Sequence, residues 1–452
     1  MYMLTTRTVV HVSISDLFAP NSIAVVGASA TPGKLGNDAM VNVKEFDGPV
    51  YPVNPSGTGE VYGHEFVDSV SETDADLALC CVPGPALPDV LRECGEGGVG
   101  AAVVFSGGYA EAGPDGRELQ ETARRIAAEY DITILGPNTA GFILPQKRLF
   151  VSFVPGFDTI ESGDVAIVAQ SGGVGVTSTF QLDREGYGVA GMFGLGNRVN
   201  TDFDEIIPML DDSEQTGAIA LHIEGTEKMD LVVDAVRRAE TPVVALKSGN
   251  QMPEFVSAHT AAPIQAYEQY ERELTDAGGV MVSSITEMLD ASRVLAKSPV
   301  PNGPNVGFVT AQAGPGIMMA DYLRERGLEF PELTSETHER LDDFLLGFTY
   351  DQNPVDTGRP MPEFGDVIDA VARDENVDIV LAYEIFESSL GYPVDELERL
   401  TDDVDKPIVF TTAGPHDALA RDRRRIEELG IPTFEGPERG AYAASVLWES
   451  IQ

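Results

Sequence analysis

The amino-acid sequence predicts an α/β protein made of doubly wound, mainly parallel sheets, and three observations lead to this class. Short apolar runs of strand-forming residues alternate with helical stretches along almost the whole chain. Glycine-rich turns follow many of these runs, as expected where a strand leads into a helix. Two segments also begin alike, because a strand leads into Ala169–Gly175 or into Ala311–Gly316 and then into a helix. This weak internal repeat predicts two flavodoxin-like domains.

The first unit is predicted over residues 1–154 and contains one doubly wound sheet. Its strand candidates are Ser22–Val26, Val50–Val53, Leu77–Val82, Ala101–Phe105 and Ile132–Leu135. Helices are expected between these strands, over Ala86–Glu96 and Gly116–Tyr130. The stretch Pro155–Gly163 is expected to be a linker.

Two further units are predicted over residues 160–298 and 304–452, and three domains suit a chain of 452 residues. Strand candidates in the second unit are Val165–Val168, Gly188–Phe193, Ala218–His222, Val243–Lys247 and Val280–Val282. This unit ends with a helix over Ile285–Lys297, and the proline-rich stretch Ser298–Pro304 forms the boundary. Strand candidates in the third unit are Val306–Thr310, Ile379–Ala382, Pro407–Thr411 and Thr433–Phe434.

The charge of the chain is strongly negative, with 73 acidic against 30 basic residues and a net charge of −43. The acidic residues are scattered through every segment, which is typical of a solvated surface adapted to high salt. The alternative is an acidic region that binds a basic partner, but such charge usually occurs in blocks. A role in nucleic-acid binding is disfavoured, because the sequence has no basic patch to neutralise phosphates.

The cysteines and the apolar runs exclude other classes of protein. Cys80, Cys81 and Cys94 have neither the spacing of zinc ligands nor that of a disulfide framework, so no metal site is predicted. No apolar run is long enough to span a membrane, and the N-terminus lacks the core of a signal peptide. We therefore expect a soluble, cytoplasmic protein that does not bind membranes.

The glycine-rich turn Gly27–Gly36 follows the first strand and has the composition of a phosphate-binding turn. It is not the dinucleotide fingerprint G-x-G-x-x-G, and the second strand ends in Asn54-Pro55 where nicotinamide enzymes usually have an acidic residue. These departures argue against a nicotinamide-dependent oxidoreductase. Lys34 could pair with a phosphate or could be an ordinary surface lysine. Further turns, at Val82-Pro83 and around Asn138, follow other strands, where ligands of open α/β sheets bind, although glycine and proline are common in any loop.

Two helix starts in the second and third units have the composition of anion sites. They contain Gln170, Ser171, Gly172 and Gly173 in one case and Gly314, Pro315 and Gly316 in the other. Free N–H groups and the helix dipole favour an anion at such positions.

His259 lies shortly after the strand Val243–Lys247, in a chain with glycine-rich helix starts upstream and downstream. A histidine among helix N-termini suits a residue that carries a phosphoryl group, and the alternative is an ordinary polar histidine. Glu224 follows the strand Ala218–Ile223 and is a candidate to hydrogen-bond the imidazole and fix its tautomer, or else an exposed loop residue. Asn197 is a polar residue on another strand-end loop.

Eight short stretches, in this order, carry a resemblance that covers the whole chain. They are Ser22–Ser29, Tyr51–Pro55, Gly136–Gly141, Gln170–Gly173, Leu195–Asn197, Leu246–Gly249, His259-Thr260 and Asn353–Asp356. Through them the sequence resembles the α subunits of NDP-forming acyl-CoA synthetases, the ADP-forming acetate–CoA ligases, which are related to succinyl-CoA synthetase. Each stretch is weak alone, but their order and spacing are specific.

The resemblance implies a Rossmann-like CoA-binding domain followed by two flavodoxin-like domains of the succinyl-CoA synthetase type. It also implies a partner, an ATP-grasp β subunit that binds ADP or ATP with Mg²⁺, and hence a hetero-oligomer. In this family an acyl-CoA and phosphate give an acyl phosphate and free CoA. The acyl phosphate then phosphorylates a histidine, which passes the group to ADP and leaves a small carboxylic acid as product.

Carried onto this sequence, the resemblance makes His259 the phosphorylated residue and Glu224 the glutamate that orients it. The helix starts at Ser171–Gly173 and Gly314–Gly316 would hold the phosphohistidine. The residues implied to bind CoA are Gly27, Ser29, Gly33, Lys34, Asn54, Pro55, Val82, Pro83 and Asn138.

The histidine loop departs from the family pattern, which usually has Ser-His-Thr-Gly followed by small residues. Here the loop is Ala258-His259-Thr260-Ala261-Ala262-Pro263, and the family's Asn-Ala-Gly-Gly-Pro-Gly becomes Ala311–Gly316. A non-catalytic protein that binds CoA or acyl-CoA on the same scaffold is therefore an alternative.

Overall fold

A computed structural model of the chain describes residues 14–249, 267–345, 347 and 349–452. The predicted site residue His259 lies outside the described residues. The chain divides into two compact units, Met1–Ile285 and Thr286–Gln452, and each is described by itself below. Among the described residues, no helix combines the length and the apolar character that crossing a bilayer requires.

The first sheet of the first unit has five parallel strands in the order β2-β1-β5-β6-β7. These strands are β1 (Ile23–Val26), β2 (Val50–Val53), β5 (Leu77–Cys80), β6 (Ala101–Val104) and β7 (Thr133–Leu135). A short hairpin, β3 (Glu60–Val61) and β4 (His64–Glu65), follows β2. The helices are α1 (Ile14–Leu17), α2 (Leu35–Val43), α3 (Leu87–Gly97) and α4 (Pro114–Tyr130).

Apolar residues cover both faces of this sheet, as a doubly wound fold requires. Met40 of α2 and Val25 of β1 belong to the core on one face. Leu91 of α3 and Ala24 of β1 belong to the core on the other face. All four residues of β1 are buried, because a central parallel strand with helices on both sides has no solvent-facing side.

The second sheet of the first unit has seven strands in the order β14-β13-β12-β10-β11-β8-β9. Its strands are β8 (Phe142–Leu144), β9 (Leu149–Val151), β10 (Ser162–Ala169), β11 (Val189–Gly194), β12 (Ala218–Ile223), β13 (Val243–Lys247) and β14 (Val280–Val282). Strands β10 to β14 are parallel, whereas β8 runs antiparallel to β11 and β9 antiparallel to β8. The helices are α5 (Gly172–Arg184), α6 (Phe203–Asp211), α7 (Met229–Arg238) and α8 (Tyr267–Thr275).

The hairpin β8–β9 was not among the predicted strands, and it pairs with the second sheet although the first unit was predicted to extend to residue 154. Phe142 stacks in parallel with Phe193 of β11, with ring centroids 6.3 Å apart, and the ring of Phe18 packs edge-on against both. This aromatic cluster gives the hairpin its place beside β11.

Helix α9 (Ile285–Lys297) belongs to the second unit from Thr286 onwards. The unit contains a five-stranded parallel sheet in the order β16-β15-β17-β18-β19. Its strands are β15 (Val306–Thr310), β16 (Val355–Asp356), β17 (Ile379–Ile385), β18 (Ile408–Ala413) and β19 (Thr433–Glu435). Its other helices are α10 (Ala313–Glu325), α11 (Ser335–Leu341), α12 (Phe364–Ala372), α13 (Val394–Thr401), α14 (His416–Glu428) and α15 (Pro437–Glu449).

Helix α9, which the sequence prediction placed in the preceding unit, is attached to this sheet by Arg293. The guanidinium of Arg293 donates to Glu427 Oε1 at 3.0 Å and to the carbonyl oxygen of Thr433 at 2.6 Å, and all three residues are buried. A buried cation held by two acceptors fixes the helix to the second unit.

The five parallel strands of each sheet follow one order, in which the first strand lies between the second and the third. This is the flavodoxin-like order 2-1-3-4-5, and its ligand site lies where the first and third strands diverge at their carboxyl ends. The predicted doubly wound α/β class is confirmed. The three switch points lie between β1 and β5, between β10 and β12, and between β15 and β17.

Candidate functional site

At the switch point of the first sheet, three strand-end turns come together. Gly27 has a φ of +88°, and a β-carbon on it would lie 2.6 Å from the carbonyl oxygen of Cys81. The amide of Asn54 donates to the carbonyl oxygen of Ala28 at 2.8 Å. The turns after β1, β2 and β5 are therefore neighbours, and they bring the predicted residues Gly27, Asn54, Pro55, Val82 and Pro83 to one edge.

Ser29, Gly33 and Lys34 complete this edge. The hydroxyl of Ser29 accepts the N–H of Thr31 at 3.1 Å, which shapes the turn before α2. Gly33 is exposed with a φ of +77°, and Lys34 is the exposed residue at which α2 begins. The N-terminus of a helix carries a partial positive charge from the helix dipole, and an ammonium group beside it adds a full positive charge.

A cavity of about 910 Å³ lies within the first unit, and the other predicted residues of that unit that the structure describes line it. The predicted residues that line it are Asn138, Gln170, Ser171, Gly172, Gly173 and Glu224. Asn138, which was predicted for CoA together with the first three turns, thus lies beside the start of α5. The remaining lining residues are Phe105, Glu111, Thr139, Ala140, Phe153, Val154, Val176, Thr177, Gly196 and Asn197.

The start of α5 forms one side of this cavity. Ser171 is the N-cap, and its hydroxyl accepts the N–H of Val174 at 3.5 Å. A β-carbon at Gly172 would lie 3.3 Å from the β-carbon of Ala140, so glycine allows the helix to begin close to the Asn138 loop. The first N–H groups of a helix have no acceptor within the helix, and here they border the cavity. This arrangement suits a bound phosphate or another oxyanion.

Glu224 forms another side, and Gln170 holds it in place. The buried side-chain oxygen of Gln170 accepts the N–H of Glu224 at 2.9 Å and that of Gly225 at 3.1 Å. The predicted contact of Gln170 with phosphate would come from its side-chain amide N–H groups, because its oxygen accepts from this turn. The two residues follow β10 and β12, the strands that diverge at the switch point.

Buried groups beneath Glu224 add charge to this edge. Lys247 pairs in register with Ile223, and its ammonium donates to the carbonyl oxygen of Ser248 and lies 5.2 Å from the ring centroid of Tyr270. Burial lowers the pKa of Lys247, and the Glu224 carboxylate acts in the opposite direction. A cation under the Glu224 turn offsets the negative charge that this carboxylate brings to the cavity.

His222 is buried beside Lys247, and its Nε2 lies 2.8 Å from the hydroxyl of Ser248. Burial, with a smaller contribution from Lys247, lowers the pKa of His222 to about 4. This imidazole is therefore neutral at neutral pH. The sequence prediction counted His222 and Lys247 only as strand residues. A polar residue at or near the end of an apolar run was the pattern that could have marked each of them as a site residue.

Glu111 and Asn197 join the loops after β6 and β11 at the cavity. Glu111 Oε1 accepts the N–H of Gly108 at 2.6 Å and that of Tyr109 at 3.1 Å, and Oε2 accepts the amide of Asn197 at 2.5 Å. Asn197 also donates to Gln120 at 2.9 Å. The sequence prediction named Asn197 only as a polar loop residue, and it did not select Glu111.

The predicted residues Gly314, Pro315 and Gly316 lie in the second unit, in the first turn of α10. A β-carbon at Gly316 would lie 2.8 Å from the Thr310 methyl group, so this glycine lets the helix pack onto β15. Nothing lies within 4 Å of a β-carbon at Gly314, which leaves room for a ligand. Among the described residues, no cluster of three or more His, Cys, Asp or Glu side chains has the arrangement of a metal site.

Comparison with known protein families identifies two domains in the chain. Residues 21–145 match the family described as "CoA binding domain". Residues 162–295 match the family described as "Succinyl-CoA ligase like flavodoxin domain". The first match covers the three turns at the switch point between β1 and β5, and the second covers the start of α5 and Glu224.

Whole-length relatives cover both compact units. The chain is 32% identical to the acetate–CoA ligase [ADP-forming] II subunit alpha of Pyrococcus furiosus, over 95% of this chain and 96% of that protein. It is also 32% identical to acetate–CoA ligase [ADP-forming] I of Archaeoglobus fulgidus, but it spans 63% of that longer chain. Among solved structures, the dinucleotide-forming acetyl-coenzyme A synthetase 1 of Ca. Korarchaeum cryptofilum, in complex with phosphate and ADP, aligns with a TM-score of 0.88. That alignment has 26% identity and covers 97% of each chain.

Proposed function

Because the chain belongs to the family of the α subunits of ADP-forming acetate–CoA ligases, we propose that it carries out the acyl-transfer and first phosphoryl-transfer steps of such a ligase. The overall reaction converts an acyl-CoA, ADP and phosphate into a carboxylic acid, ATP and CoA. The observation that carries the proposal is the cavity in which the start of α5, with Ser171 and Gly172, borders Glu224.

CoA is assigned to the first sheet. The turns at Gly27, Asn54 and Val82 meet at the switch point, where doubly wound sheets bind nucleotides. Exposed Lys34 at the start of α2 supplies a cation for a CoA phosphate. From this edge the pantetheine arm would carry its thioester to the cavity that Asn138 lines.

In the cavity, a phosphate oxygen attacks the thioester carbon, the C–S bond breaks, and CoA leaves as the thiol after taking up a proton. Free N–H groups at the start of α5 stabilise the phosphate and the charge that develops during attack. The product is an acyl phosphate, a reactive mixed anhydride. Splitting the overall reaction at this intermediate replaces one difficult step with two easier ones.

His259 is assigned the second step, in which an imidazole nitrogen attacks phosphorus and the P–O bond to the carboxylate breaks. Glu224 is assigned to accept a hydrogen bond from the other ring nitrogen, which fixes the tautomer. Gln170 positions the Glu224 turn through its two accepted hydrogen bonds. The start of α10 at Gly314–Gly316 is assigned as a second phosphate-binding helix.

An ATP-grasp β subunit is proposed as the partner that supplies ADP and Mg²⁺, so that the active enzyme is a hetero-oligomer. Relatives of nearly equal length are named as subunit alpha, and this chain spans 63% of a longer single-chain relative, which supports the proposal. The net charge of −43 supports a working environment of high salt, and we place the enzyme in the cytoplasm.

The test is a phosphorylation assay in concentrated KCl. The chain and its ATP-grasp partner are incubated with labelled ATP and Mg²⁺, and acid-labile, alkali-stable phosphate on the chain is measured. We expect the natural protein to become labelled and the His259→Asn variant to remain unlabelled. The Glu224→Gln variant should become labelled more slowly than the natural protein. CoA affinity is measured in parallel by calorimetry and is expected to be unchanged in both variants.

Equal labelling of the natural protein and His259→Asn would show that another residue carries the phosphoryl group. Absence of label on the natural protein, with CoA still bound, would instead favour a non-catalytic CoA-binding role and direct attention to the altered loop at residues 261–263.

A further inference from the structure

We propose that Phe105 and Phe153 form the wall of the acyl subsite in the cavity of the first unit, and that they limit the size of the acyl group. This inference rests on the proposed function, because it assigns a part of the same cavity. Both rings line the cavity, and they follow β6 of the first sheet and β9 of the second sheet. The wall therefore stands where the two sheets of the first unit meet.

The two rings support each other. Their centroids are 5.3 Å apart and their planes are inclined by 72°, which is the favourable edge-to-face arrangement. Phe105 is 5% exposed and belongs to the hydrophobic core, whereas Phe153 is partly buried and packs against that core. A ring fixed in a packed core does not move aside easily, so the wall resists a larger acyl group.

The wall lies close to the predicted phosphate position. A β-carbon at Gly172 would lie 3.3 Å from the β-carbon of Ala140, and one at Gly141 would lie 3.0 Å from Phe105 Cε1. The short stretch Ala140-Gly141 therefore connects the start of α5 to the aromatic ring. An acyl group whose carbonyl carbon is attacked by phosphate at this helix start can extend directly towards Phe105 and Phe153.

The chemistry of the lining selects an acyl group with an apolar end. Val154 and Val176 extend the apolar surface beside the rings. Among the described lining residues none is Lys or Arg, whereas the carboxylates Glu111 and Glu224 both line the cavity. A second carboxylate on the acyl group would lose its hydration, find no lining cation and meet like charge. We expect short aliphatic acyl groups to bind and charged or aryl groups to be disfavoured.

Calorimetric titration of the full chain in concentrated KCl tests this assignment without the partner. The ligands are CoA, acetyl-CoA, butyryl-CoA, succinyl-CoA and phenylacetyl-CoA. The variants are Phe153→Leu and Phe105→Leu, which keep an apolar side chain but remove the ring. The control is Phe180→Leu, because Phe180 forms a similar ring pair with Phe157, at 5.2 Å, and neither ring lines the cavity.

The expected result is that Phe153→Leu lowers the ratio of the phenylacetyl-CoA Kd to the acetyl-CoA Kd at least tenfold. Free CoA is expected to bind within twofold of the natural protein, and Phe180→Leu to leave the ratio unchanged. If Phe105→Leu fails to fold, Phe153→Leu still tests the subsite, because Phe153 is only partly buried and its replacement disturbs the core less.

An unchanged ratio in Phe153→Leu, with CoA bound normally, would overturn the subsite and leave the proposed function intact. Tighter binding of succinyl-CoA than of butyryl-CoA by the natural protein would overturn the apolar selectivity. A natural chain that binds neither CoA nor any acyl-CoA would overturn the proposed function, and the subsite with it.

Discussion

Gln170 and Glu224, which are 54 residues apart in the sequence, are joined in the wall of the cavity, where the side-chain oxygen of Gln170 accepts the N–H of Glu224 at 2.9 Å. The same oxygen accepts the N–H of Gly225 at 3.1 Å. One buried amide therefore ties the turn after β12 to the turn after β10. The link helps to position the Glu224 turn, which Arg198 also holds by donating to the carbonyl oxygen of Gly225 at 2.9 Å.

Replacing Gln170 with leucine should slow phosphohistidine formation at least tenfold while CoA binding stays within twofold. The substitution leaves the N–H groups of half-buried Glu224 and buried Gly225 without their acceptor, which costs up to about 1–3 kcal/mol each and lets the turn move. Single-turnover labelling measures the rate, and urea unfolding measures the stability. Gln181→Leu on the following helix α5, outside the cavity, is the control. An equal loss of rate in both variants would contradict a positioning role for Gln170.

Replacing Lys247 with methionine should slow phosphoryl transfer but lower stability by less than about 1 kcal/mol. Methionine fills a similar volume without a buried ammonium, and buried charges can be replaced by apolar groups at little cost. The cavity nevertheless loses the cation beneath Glu224, so the phosphoryl group meets uncompensated negative charge. Lys247→Arg should retain part of the rate. If the methionine variant transferred the phosphoryl group at the natural rate, Lys247 would have no role in this step.

Sequence reasoning located features that depend on neighbouring residues. The strands and the turns at Gly27 and Ser171 were predicted because an apolar run followed by glycine is a local pattern. The bond from Asn197 to Glu111 joins residues 86 positions apart, and it arises only when the loops after β6 and β11 meet. No local pattern encodes such a contact, which is why Glu111 was not selected as a site residue.

Gly27 and Gly33 offer a matched test of the CoA edge. Both have a positive φ, but a β-carbon at Gly27 would lie 2.6 Å from the carbonyl oxygen of Cys81, whereas nothing lies within 4 Å of one at Gly33. Gly27→Ala should displace the turn and weaken CoA binding at least tenfold. Gly33→Ala adds only the strain of an alanine in a left-handed backbone conformation, about 1 kcal/mol, and should weaken CoA binding far less. Calorimetry with free CoA compares them, and equal effects would mean that the close approach to Cys81 is unimportant for binding.

Glu384 should make the stability of the chain depend on pH. This residue lies near the end of β17, is 2% exposed, and one of its oxygens has no hydrogen-bond partner among the described residues. Burial raises the pKa of Glu384 to about 8, from an ordinary value of 4.5. Between these two values the folded chain holds a proton that the unfolded chain has released, so the free energy of unfolding falls as pH rises from about 4.5 to about 8.

Glu384→Gln removes this titration and keeps the shape of the side chain. At pH 8 the variant should therefore unfold at a higher urea concentration than the natural protein. Its free energy of unfolding should be higher by up to roughly a few kcal/mol, and this difference should shrink towards pH 5. Glu375→Gln, at an exposed position of the same unit, should leave the pH dependence unchanged. Urea titrations at pH 5, 6, 7 and 8 in one concentration of KCl give the comparison. If the natural protein and Glu384→Gln lose stability in parallel across this range, the carboxyl of Glu384 is ionised in the folded chain and must have a partner.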